Sequence, residues 1–95
     1  MSGKSPKSRI LLVEDHPIAR QGLTELLNSQ SDLTVCGYAE SLPEALDEVA
    51  KCKPDAVLLD ITIKGANGVE VLKQLKTTFP NLKVLMLSMH LPKAF

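Results

Sequence analysis

Four side chains in this chain are placed to do chemistry together: Glu14, Asp15, Asp60 and Ser88. Each ends or directly follows a short apolar run. Glu14-Asp15 comes after Ile10–Val13, Asp60 after Ala56–Leu59, and Ser88 after Val84–Leu87. Three carboxylates brought together repel one another unless a hard cation holds them, and oxygen ligands with retained waters suit Mg²⁺. Such a cation would balance an incoming phosphoryl group and leave one carboxylate to act as nucleophile. A hydroxyl at position 88 could then hydrogen-bond the transferred phosphoryl oxygen. Taken singly, the residues have plainer readings. An Asp after a strand is most often a helix N-cap, as Asp15 before His16-Pro17 could be, and a lone Ser is usually a loop hydroxyl. The set is much more specific than any member.

The elements that would position these residues alternate. Ile10–Val13, Ala56–Leu59 and Val84–Leu87 are unbroken apolar runs, and Thr34–Ala39 is a weaker one. Unbroken apolar strands are buried on both faces, the mark of a parallel sheet covered by helices. Between them the period is helical. After Pro17, Ile18, Leu23, Leu26 and Leu27 fall near one stripe. Ser41-Leu42-Pro43-Glu44 has the spacing of a capping box, with Leu42, Ala45, Leu46 and Val49 as the buried face behind it. Asn67 with Glu70 repeats the start signal, and Leu72, Leu75 and Phe79 follow before Pro80 ends the helix. The order β-α-β-α-β-α-β, with Met89–Phe95 after it, predicts right-handed crossovers and an α/β doubly wound sheet. Ligands of such sheets bind outside the carboxyl ends of the strands, and the acidic residues fall there. If the first and third strands are neighbours, the carboxylates converge.

Composition narrows the field. The 95 residues fit one small domain, 44% apolar, and at this size the core is marginal. Lys and Arg number 11, as do Asp and Glu, so no net field draws the chain to nucleic acid or an anionic membrane. No apolar run is long enough to span a bilayer. Cys36 and Cys52 lack CxxC spacing and read as reduced core thiols of a cytoplasmic protein. Residues 1–8 read as a loose tail and not a secretory leader, and 9–95 as the domain. Gly3-Lys4-Ser5 lacks the preceding glycine and strand of a phosphate-binding loop. His16 reads as a loop neighbour of the acidic site, and the single Tyr38 offers no stacking platform for nucleic acid.

From Arg9 to His90 the chain resembles the CheY-like receiver domains of two-component response regulators. Ile10-Leu11-Leu12-Val13-Glu14-Asp15-His16-Pro17 is similar to that family's first strand and acidic pair. Arg20, Gly22 and Leu23 resemble the NarL/FixJ subgroup, whose output is a LuxR-type helix-turn-helix domain. Pro54–Ile61 is similar to the phosphoacceptor strand, Gly68 to the glycine opening the next helix, and Val84–His90 to the fourth strand with its switch hydroxyl. The resemblance implies a flavodoxin-like sheet of order 2-1-3-4. It implies that Asp60 accepts phosphate from a sensor histidine kinase, and that Glu14, Asp15, Asp60 and the Thr62 backbone carbonyl bind Mg²⁺. Ser88 would be the switch residue. The parent protein would be a transcription regulator whose DNA-binding part lies outside this chain.

Two departures qualify the resemblance. Lys64 stands where the family usually has proline. The family's fifth strand, its terminal lysine and its last helices have no counterpart here. Lys93 follows the fourth strand too closely, and Lys53-Pro54 lies at the wrong end of the sheet. A fourth strand left at the edge invites edge pairing or swapping, giving the runner-up function of an assembly module without phosphotransfer. A phosphatase of the haloacid-dehalogenase type is a weaker competitor. It needs a second acidic residue where Thr62 stands, and it gives Glu14-Asp15 no role. The favoured reading is a signalling domain, not a turnover enzyme.

Overall fold

The structure, a computed structural model, describes residues 7–60 and 68–87. Residues 61–67, which hold Thr62, Lys64 and Asn67, and residues 88–95, which hold Ser88, His90 and Lys93, lie outside the described residues, as do residues 1–6 of the expected tail. Four strands and three helices alternate: β1 (Ser8–Val13), α1 (Pro17–Asn28), β2 (Leu33–Ala39), α2 (Leu42–Cys52), β3 (Ala56–Asp60), α3 (Gly68–Thr78) and β4 (Lys83–Leu87). All pairings are parallel, in the order β2-β1-β3-β4. The doubly wound sheet with order 2-1-3-4 is thus present. β1 starts at Ser8, inside the stretch read as tail, because the Ser8 N–H reaches the Asp32 carbonyl at 2.9 Å.

Arg9 and Asp55 set the register of the two central strands. The Asp55 N–H donates to the Arg9 carbonyl at 2.8 Å, and the Arg9 N–H donates to Asp55 Oδ2 at 2.7 Å. Val13 then stands opposite Leu59, and Glu14 one step on lies beside Asp60. On the other side of β1 the register shifts. Ile10 pairs with Val35 but Leu11 with Gly37, so Cys36 is the extra residue of a β-bulge.

Right-handed crossovers with this strand order place α1 on one face and α2 with α3 on the other. The second face holds the core. Leu11, Val13, Val57 and Leu59 alternate along β1 and β3 and meet Ala45, Val49, Val71 and Leu75 of the helices. Ser41 caps α2, its Oγ accepting from the Glu44 N–H at 3.4 Å, while Glu44 Oε1 accepts from the N–H of Glu40, one residue before the cap, at 3.1 Å. Lys53 ends that helix in the left-handed conformation, φ 50°. The face expected for α2 is the buried one. In α3 the fully buried Val71 joins Leu75, a residue the sequence reading passed over.

The α1 stripe needs correction. Leu23 and Leu27 are half-buried, whereas Ile18 is 86% and Leu26 60% exposed, and no residue of α1 is buried. Among the described residues the helix packs mainly on β2, so only the part of its apolar arc facing that strand is covered. On the same side of the sheet Leu85 is 62% exposed.

Candidate functional site

From Ile10 in β1 and Ala56 in β3 the strands are apolar until they stop, and parallel pairing puts those stops together. Glu14 follows Val13 and Asp60 closes β3. Both are buried, at 1% and 2% exposure, although both are acids. Asp15 is half-buried and His16 exposed. Glu14, Asp15, His16 and Asp60 each offer one ligand atom, and these atoms all lie within 4.8 Å of one another. The sequence expectation that the three carboxylates converge is met.

His16 folds back onto the cluster. Its N–H donates to Glu14 Oε2 at 2.9 Å, and its Nδ1 lies 2.8 Å from the same oxygen and 3.1 Å from Asp15 Oδ1. Position 16 is also the N-cap of α1, without a side-chain cap bond, so Asp15 is not the capping residue that its sequence position allowed. Glu14 Oε1 is buried with no hydrogen-bond donor among the described residues. Burial, and beyond it the neighbouring Asp60, raise the Glu14 carboxyl above its ordinary range, while the bonds from His16 pull it down. The hydrogen bond to Glu14 and the charge of Asp15 raise the His16 imidazole. Two buried acids this close are stable only when they share a proton or face a cation. The carboxylate-rich donor set, with one buried oxygen lacking a donor, fits a hard divalent ion.

Arg20 braces the site from α1. Its Nη1 donates to Glu40 Oε2 at 2.7 Å and lies 3.4 Å from the Glu14 carbonyl, and its guanidinium stands 4.1 Å over the Tyr38 ring. The ends of β1 and β2 are so joined through one side chain. Sequence reasoning singled out Arg20 only through the resemblance and missed Glu40, because an ion pair 20 residues apart leaves no local pattern.

Such an acidic pocket at the carboxyl ends of a 2-1-3-4 sheet defines a class. The chain belongs to the response regulator receiver domain family, whose model matches residues 10–94. Among the relatives, the response regulator protein VraR of Staphylococcus saprophyticus is 36% identical over 83 residues, covering 87% of this chain and 40% of that protein. The DNA-binding transcriptional activator DevR/DosR of Mycobacterium tuberculosis is 35% identical over 82 residues, covering 86% of this chain and 38% of that protein. The chain therefore spans about two-fifths of the length of these relatives. A two-component response regulator of the LuxR family from Aurantimonas sp. SI85-9A1 superimposes with a TM-score of 0.83 at 30% identity, over 90% of this chain and 61% of that one. The response regulator domain of Thermotoga maritima CheB does so with 0.78 at 33% identity, over 86% and 60%. Among the described residues no helix is long and apolar enough to cross a membrane.

Proposed function

We propose that this receiver domain takes a phosphoryl group on Asp60 from the phosphohistidine of a sensor histidine kinase, in the cytoplasm. The observation that carries this reading is the buried pair Glu14 and Asp60 at adjacent strand ends, with Asp15 beside them. An Asp60 oxygen attacks phosphorus, the bond to the donor nitrogen breaks, and an acyl phosphate remains on Asp60. The apolar strands hold that carboxylate fixed at the sheet end, so little orientational freedom is left to lose. Glu14, Asp15 and Asp60, with the Thr62 carbonyl, would hold Mg²⁺, which when bound neutralises charge as the phosphoryl group arrives. Ser88 would act as the switch hydroxyl. The regulators among the relatives support a DNA-binding transcription factor as the parent protein, with 9–95 as its receiver portion.

The test is Mg²⁺-dependent labelling with acetyl phosphate, beside Asp60→Asn. Acid-stable, base-labile label that disappears in the variant establishes the site. A folded chain that takes no label removes this reading.

A second reading rests on the uncovered apolar surface of α1 and β4, where Ile18, Leu26 and Leu85 are exposed. In it the chain pairs with a second copy through the sheet edge and transfers no phosphate. Persistent dimers with no dependence on Mg²⁺ or on Asp60 would favour it.

A further inference from the structure

Away from the acidic cluster, two thiols meet. The β2 bulge turns Cys36 and Gly37, successive residues, toward α2: Cys36 packs against the core there, and Gly37 faces Cys52 at the helix end. Cys52 Sγ lies 3.3 Å from the Cys36 carbonyl and 3.5 Å from Glu48 Oε1. Gly37 leaves the necessary room. A Cβ there would stand 2.8 Å from Cys52 Sγ and 2.9 Å from Glu48 Oε1. Both thiols are free and half-buried.

We propose that Cys36 and Cys52 form an oxidation site that a peroxide closes to an intramolecular disulfide. Both thiols are reduced, as the sequence led us to expect, and the fold sets Cys52 against the Cys36 backbone, which spacing alone does not show. Burial, with Cys36 and Glu48 adding to it, pushes the Cys52 thiol up to about 11, so at neutral pH it attacks only when a base takes its proton. The first attack falls to Cys36. Its thiolate takes one peroxide oxygen, the O–O bond breaks, and the other oxygen leaves as water after gaining a proton. Cys52 then attacks the sulfenic sulfur while Glu48 accepts its proton. The S–S bond forms, the S–O bond breaks, and that oxygen departs as a second water. Two electrons from the sulfurs reduce one peroxide to two waters. The product ties the end of α2 to the bulge of β2.

The experiment exposes the reduced 95-residue chain to hydrogen peroxide and follows thiol count and intact mass. Both thiols should vanish together, with loss of two hydrogens and no intermolecular crosslink. Closure should run on the order of tenfold faster in the folded chain than in urea, because the fold already holds Cys52 against Cys36. In Cys52→Ser, dimedone should trap a sulfenic acid on Cys36. Equal rates with and without urea, crosslinked dimers in place of the internal bond, or dimedone adducts accumulating on the wild-type chain would each overturn the proposal. None of these readouts depends on phosphate chemistry, so the phosphoacceptor reading and this one fail separately.

Discussion

The His16 side chain closes on the acid that precedes it by two residues, Nδ1 to Glu14 Oε2 at 2.8 Å, while its own N–H donates to the same oxygen at 2.9 Å. One carboxylate oxygen thus lies within hydrogen-bond distance of two nitrogens of a single residue. When protonated, the ring is the nearest positive charge the described residues supply to the cluster, beside Asp15 as well. It stands where a metal's charge would be useful.

Stability without metal should therefore fall as pH rises. A raised imidazole stabilises the fold below its unfolded value of 6.5, and that contribution is lost as pH climbs through the folded value. Glu14, raised above 4.5, has the same sign, since the folded state keeps a proton that the unfolded state has released. In EDTA the melting temperature should be higher near about pH 6 than near about pH 8, the range over which a histidine loses its charge. Saturating Mg²⁺ should flatten the slope, and His16→Ala should reduce it. A melting temperature that rises with pH in EDTA would remove this account.

Asp60→Asn should stabilise the metal-free chain by about 1–2 kcal/mol, because it takes one charge from a buried like-charged pair. Urea unfolding in EDTA measures it. A less stable variant would mean that the Asp60 charge is already balanced in the free protein.

Lys53 adopts φ 50° and ψ 60° where α2 ends. Lys53→Gly should add about 0.5–1 kcal/mol by removing the cost of a left-handed side chain. At the other end of the helix, Ser41→Ala should cost about 1 kcal/mol with the capping bond. Thermal melts of the two variants should move in opposite directions.

Leu75 and Leu85 are both leucines facing the sheet layers, but only Leu75 is enclosed. Leu75→Ala should cost about 2–5 kcal/mol. Leu85→Lys should change stability by only about 0.5 kcal/mol while lowering any self-association seen by light scattering. Equal losses at the two sites would show that the β4 surface is covered in solution.

Much of this was legible beforehand because it follows from local pattern. The apolar runs of β1, β3 and β4 announce buried parallel strands, and the acids at their ends announce a site. The Ser41-to-Glu44 spacing announces α2. What stayed hidden depends on the third dimension. Ile18 and Leu26 look like core residues because periodicity shows an apolar face without showing what covers it. Cys36 and Cys52 look unrelated because only a bulge in β2 turns one toward the other. Arg20 and Glu40 pair across two strand ends, and spacing carries no record of that.

The strand made first is the one placed second in the sheet. β1 needs both β2 and β3 at its sides, and its tie to β3 runs from Arg9 to Asp55, 46 residues later. A nascent chain emerging N-terminus first can pair β1 with β2 early but must leave its other edge bare until Asp55 arrives. Synthesis therefore passes through a stage in which this buried central strand is half-clothed, and the acidic cluster at the strand ends is completed only when that wait ends.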